Sequence, residues 1–230
     1  MQAEGRWEVS TITQRESDQR EATAKTETQR RPPYRLSVAK YEAMVASGAF
    51  TKADRFELIE GTLVEKTTKG GKHSASSERS WRAIHLLLPP GWHVRIEKPV
   101  RIPQRDSEPE PDVSVARGGI DDYEDRHPGP EDVALVVEVA ESTLADDRAM
   151  AMTYGGGGIP VYWIVNVAGR QLEVYAHPSP SGAQGARIGG AYPAPTILGE
   201  TESVELIIEG QVVGMIAVAK LLPRAKGGAS

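Results

Sequence analysis

The sequence contains no cysteine. That excludes disulfides, thiolate zinc sites and cysteine nucleophiles, and leaves carboxylates, histidine and lysine to carry any chemistry. No apolar run approaches the roughly 18 residues needed to span a bilayer. The opening residues, MQAEGRWEVSTITQRESDQR, also lack the apolar centre of a secretory signal. A cytoplasmic protein without a membrane segment is expected. No repeat is visible, and one further absence matters below: no lysine occurs between Lys98 and Lys220.

What is present suffices for one good core. The chain has 230 residues, of which 39% are hydrophobic, a size that suits one domain with an extension. Residues 1–33 are polar with no regular apolar period and read as a disordered extension. The folded domain is expected over 34–223, with a flexible tail at 224–230.

The net charge of −5 hides an internal asymmetry. From Lys66 to Arg105 nine Lys/Arg stand against Glu78 and Glu97, a balance of +7; from Asp106 to Asp147 fourteen Asp/Glu stand against Arg117 and Arg126, a balance of −12. Such a pattern suits a protein that grips a polyanion with one surface and holds metal ions with another, or one whose surface charges neutralise each other.

Two apolar runs of strand character each carry a carboxylate. Asp112 stands at the entrance of VSVA (113–116), and Glu138 lies inside ALVVEVA (134–140). Period-two alternation sets Leu135, Val137 and Val139 on one face and Val136, Glu138 and Ala140 on the other. A buried carboxylate without a partner costs several kcal/mol, so a metal cation, a basic side chain or an open cleft must adjoin Glu138. A divalent metal bound by Asp112 and Glu138 is the reading adopted.

Around these runs the other elements fall into place. Ser37 caps a helix over VAKYEAMVASG that stops at Gly48, and a turn at Glu60-Gly61 leads into a strand. Ser74 or Ser76 caps a helix with Trp81, Ile84, Leu87 and Leu88 on its apolar face, closed by Pro89-Pro90. Lys69, Lys72 and His73 precede that helix, where free N–H groups and nearby amines favour a phosphate, so this corner is expected to touch a nucleic-acid backbone. WHVRIEKPVRIP reads as a strand broken at Pro99. The segment STLADDRAMAMTY reads as a helix ended by the glycines at 155–158, IPVYWIVNV as a buried strand, and QLEVYAHP as its hairpin partner. A loop over 178–200 then leads to VELIIEG and a closing segment.

The succession RFELIEGTLVEK, KHSASSERSWRAIHLLL, EPEPDVSV, ALVVEVAES, DDRAMAMTY, GIPVYWIVNV and QLEVYAHP resembles the Uma-type restriction endonuclease family, a branch of the PD-(D/E)XK nuclease superfamily. The likeness covers about residues 34–222. It implies an α/β (α+β) fold, a restriction-endonuclease-like mixed central sheet flanked by helices, and acidic residues on adjacent strands that bind Mg²⁺ or Mn²⁺. By motif position it implies Glu60, Asp112 and Glu138 as catalytic residues of a DNA endonuclease. The sequence does not fix the oligomeric state, but cutting both strands of a duplex is simplest for a homodimer.

One departure stands out. The superfamily's lysine two residues after the second carboxylate is Ala140 here. In Uma-type relatives it has moved to the following helix, where this chain has Met150 or Ala151, depending on the alignment. Three functions therefore stay open: a metal-dependent nuclease with impaired turnover, a nuclease-fold protein that binds nucleic acid without cutting it, and an interaction domain whose carboxylates are merely satisfied.

Overall fold

The apolar runs form the middle of a sheet. In the computed structural model, which describes residues 32–51, 53–179 and 192–224, the secondary structure of the described residues lies in the unit from Arg35 onward. The extension expected over 1–33 and the tail expected over 224–230 fall almost wholly outside the described residues. Among these residues no helix is long and apolar enough to cross a membrane.

Helix α1 (Val38–Ala46) begins at Ser37, whose hydroxyl accepts the Lys40 amide, and stops before Gly48. A hairpin of β1 (Phe56–Ile59) and β2 (Thr62–Glu65) follows, with Glu60 and Gly61 both at positive φ in its turn. Helix α2 (Gly71–His85) leads to β3 (Trp92–Ile96), β4 (Val113–Arg117) and β5 (Val133–Ala140). Helix α3 (Leu144–Gly157) then crosses to β6 (Val161–Asn166), which is followed by β7 (Gln171–Ala176) and β8 (Thr196–Gly199). β9 (Ser203–Ile208) and β10 (Gln211–Ala217) close the fold as a separate hairpin.

The central sheet runs β3-β4-β5-β6-β7-β8. Only β5 and β6 pair in parallel, and α3 is the crossover that parallel pairing demands. Both faces of β5 are covered, which explains its near-continuous apolar sequence. One face packs Leu135, Val137 and Val139 with Ile84 of α2, Trp163 and the β9–β10 hairpin; the other packs Val136 and Ala140 with Ala151, Tyr154 and Tyr162.

Three elements differ from the sequence expectation. Helix α2 starts at Gly71 with Gly70 as N-cap, ahead of Ser74 and Ser76, and the face it buries is Ser76, Ser77, Ser80 and Ile84. Small hydroxyls let it approach closely, and Ser76 Oγ donates to the Leu221 carbonyl at 2.6 Å. Helix α3 does not stop at Gly155 but runs on to Gly157, and only Gly158, at φ +91°, ends it. A Cβ on Gly157 would lie 2.2 Å from Ile102 Cγ2, so this glycine serves close packing. Finally, the segment expected as loop contains β8, an edge strand paired with β7.

Candidate active site

Asp112 is held by the chain on either side of it. The Glu108 amide donates to the Leu58 carbonyl of β1 at 2.7 Å, and the amides of Val100 and Glu97 donate to the carbonyls of Pro109 and Asp112 at 2.9 and 3.3 Å. The Pro-rich EPEPD segment is thereby clamped between β1 and the strand leaving β3. Its aspartate meets β5, where the Val139 amide donates to Asp112 Oδ2 at 2.8 Å and the Asp112 amide donates to Glu138 Oε2 at 3.1 Å. The two residues singled out from the sequence are therefore joined by crossed hydrogen bonds, Asp112 at the entrance of β4 and Glu138 within β5.

They open onto a cleft of about 940 Å³. Glu138, facing α3 as the alternation of β5 requires, accepts the Tyr154 hydroxyl on Oε1 at 2.8 Å. Although its residue keeps some solvent access at the cleft wall, the surrounding protein desolvates its carboxyl. Burial, and then the negative charges of Asp112 and Asp147, push the Glu138 carboxyl well above its ordinary range. Burial acts upward on Asp112 too, but the His73 imidazole and the Lys69 ammonium outweigh it, and its carboxyl lies below the ordinary range.

The corner expected to meet a nucleic-acid backbone divides. Lys69 Nζ stands 2.6 Å from Asp112 Oδ1 and 2.8 Å from Glu97 Oε1, and His73 Nε2 stands 3.0 Å from Asp112 Oδ2. Lys69 and Lys72 remain solvent-exposed, while His73 is half-buried. Glu60 lines the same cleft, where its Oε1 accepts Arg105 Nε at 2.8 Å and Thr153 Oγ1 at 2.9 Å. Much of the basic block is likewise matched to acids, with Lys66 on Glu110, Arg101 on Glu42 and Arg105 on Glu60.

Of the further carboxylates that line the cleft, burial raises two that the sequence does not single out. Glu57 of β1 accepts the Glu110 amide on Oε2 at 3.1 Å, and burial raises its carboxyl. Its place in β1, one residue from the fully buried Leu58, is the signal that could have marked it. Asp147 of α3 accepts Thr143 Oγ1 at 2.7 Å. Burial, helped by the charges of Asp112 and Asp146, pushes its carboxyl up to about 6. It lies one turn after the helix start, where acidic residues are ordinary, so nothing in the local pattern sets it apart.

A mixed sheet with antiparallel edges, one parallel pair joined by a helix, and a carboxylate pair at adjoining strands defines a restriction-endonuclease-like nuclease fold. The family Uma2, described as "Putative restriction endonuclease", matches residues 38–206, and the chain belongs to that family. Among solved structures, the fold is shared with a putative nuclease of the DUF820 group from Anabaena variabilis ATCC 29413, at a TM-score of 0.56 and 14% identity over 81% of this chain and 97% of that one. No curated protein matches.

Proposed function

We propose that this chain is a metal-dependent DNA endonuclease that hydrolyses phosphodiester bonds in the cleft, with Mg²⁺ or Mn²⁺ held by Asp112 and Glu138. The observation that carries this reading is the pair of crossed hydrogen bonds, from the Asp112 amide to Glu138 Oε2 at 3.1 Å and from the Val139 amide to Asp112 Oδ2 at 2.8 Å, in the wall of an open cleft that both acidic residues line.

The donor set suits a hard cation. Among the described residues no three carboxylate or imidazole groups are placed to chelate an ion unaided. Magnesium, however, typically takes only one or two carboxylates and completes its shell with water and substrate phosphate. The upward push that Asp112 exerts on Glu138 is the mark of two like charges that a cation would relieve. When bound, the ion would neutralise phosphate charge and make water a better nucleophile.

The chain's own residues prepare the rest. Tyr154 and the Asp112 amide orient Glu138, while Val139 N–H and His73 orient Asp112. In the reaction water adds to phosphorus and releases its proton to solvent, one P–O ester bond breaks, and the departing sugar oxygen takes up a proton. Cutting both strands of a duplex takes two such sites, which a homodimer supplies.

The second reading, a protein that binds nucleic acid without cutting it, draws on the absence of an amine at Met150 and Ala151 of α3. A supercoiled-plasmid nicking assay separates the two. Nicking that requires Mg²⁺ or Mn²⁺ and falls at least 10²-fold in Asp112→Ala is expected. Salt-dependent DNA binding with no nicking in the unaltered protein would replace the first reading with the second.

A further inference from the structure

We infer that Lys69, on the loop before α2, supplies the ammonium that faces the scissile phosphate, taking the place of the lysine that α3 lacks. This inference rests on the nuclease reading above.

Nothing in the local sequence around Asp112 or Glu138 points to Lys69, which precedes Asp112 by more than forty residues. The fold brings it there. Its Nζ lies 2.6 Å from Asp112 Oδ1 and 2.8 Å from Glu97 Oε1, and its side chain retains 29% of its exposure, so the amine is half-enclosed yet open to the cleft. A phosphate that approaches the Asp112–Glu138 pair from the cleft must come beside this amine. The residues that α3 contributes to the cleft, Asp146, Asp147, Ala149, Met150 and Thr153, include no cation.

The loop that carries Lys69 is fixed in a way that an incidental surface lysine would not need. A Cβ on Gly70 would lie 2.7 Å from Glu141 Oε2, so the backbone passes against that carboxylate, and the His73 amide donates to the same oxygen at 3.2 Å. His73 in turn reaches Asp112 with Nε2. The first turn of α2 is thus tied to both Glu141 and Asp112, and Lys69 is held two residues ahead of it. Lys66, the other lysine of the cleft, pairs with Glu110, whereas Lys69 pairs with Asp112 itself.

A fixed ammonium at this point stabilises the negative charge that grows on the phosphorus oxygens as water adds. The lysine need not move a proton, and the bonds made and broken are those of ordinary hydrolysis. Removing one such preorganised charge typically slows a reaction about 10²–10³-fold.

Lys69→Met tests the inference in the full chain, with circular dichroism to confirm folding. Plasmid nicking should fall about 10²–10³-fold, while the Mn²⁺ affinity measured by calorimetry stays unchanged or tightens, since a cation that competes for Asp112 has been removed. Nicking close to the unaltered level overturns the inference. So does a loss of Mn²⁺ affinity in step with nicking, because Lys69 would then only shape the carboxylate pair. If the unaltered protein does not nick with either metal, the nuclease reading itself fails, and the role of Lys69 falls with it.

Discussion

On one face of β5, Leu135, Val137 and Val139 meet Ile84, Trp163 and Leu206 in a layer of buried hydrophobic side chains. On the other, Val136 and Ala140 flank Glu138, whose neighbours are the Tyr154 hydroxyl, the Asp112 amide and the open cleft. The strand is the same and its register against β6 is unbroken from Val136 to Ala140, so the difference lies in the side chains. The apolar face gives β5 a rigid seat. The mixed face uses that rigidity to keep like charges close together, an arrangement that a loop could not hold. The two faces should therefore respond in opposite ways to substitution: the first should lose stability without losing the site, the second should lose the site while gaining stability or keeping most of it.

The largest expected effect belongs to the apolar face. Leu135 is fully buried, and Leu135→Ala should lower unfolding free energy by about 2–5 kcal/mol through lost transfer energy and the cavity left behind. Urea denaturation reads this directly. Mn²⁺ affinity measured where the variant is still folded should match the unaltered protein, and a parallel loss of affinity would show that the two faces are not separable.

Asp147→Asn probes the mixed face. The Asp147 carboxyl is pushed from 3.8 up to about 6 by burial first, with the charges of Asp112 and Asp146 adding to it. A native pKa above the unfolded one means that the folded protein holds this proton more tightly, so its contribution to stability is present at low pH and is lost as pH rises from about 4 to about 6. Asparagine cannot ionise and escapes that loss. In metal-free buffer the stability of Asp147→Asn relative to the unaltered protein should therefore grow over this window, by at most about 3 kcal/mol. A pH-independent difference would show that Asp147 is not held in its protonated form by the fold.

The same contrast explains what could be read from the sequence. β4, β5 and β6 were legible because buried strands are written as short apolar runs, and Asp112 and Glu138 because a charge in such a run needs a reason. The alternation along β5 placed each side chain on its observed face. Lys69 was visible only as part of a basic loop, because its pairing with Asp112 depends on where the start of α2 is docked, and no local pattern encodes that. The start of α2 was misplaced for a related reason: serine is a good cap in isolation, but here Ser76 and Ser80 are buried packing residues. The glycines of α3 read as a stop, yet Gly157 is set by the side chain of Ile102, far away in sequence. Features set by a residue's own neighbours in sequence are legible there, and features set by a distant partner are not.

The smallest and most selective change is Tyr154→Phe. The ring of Tyr154 is fully buried and lies 4.8 Å, centroid to centroid, from that of Tyr162, so phenylalanine keeps the packing and removes only the hydroxyl that donates to Glu138 Oε1. Loss of one such hydrogen bond changes stability by about 1 kcal/mol. Its effect on the site should be larger in proportion, because a donor behind a metal-binding carboxylate fixes the orientation of that carboxylate, and removing such a partner typically weakens metal binding about 10–100-fold. Calorimetric titration with Mn²⁺ beside urea denaturation gives both numbers. If stability falls by several kcal/mol while affinity holds, Tyr154 belongs to the core of α3 and the orientation of Glu138 comes from the Asp112 amide alone.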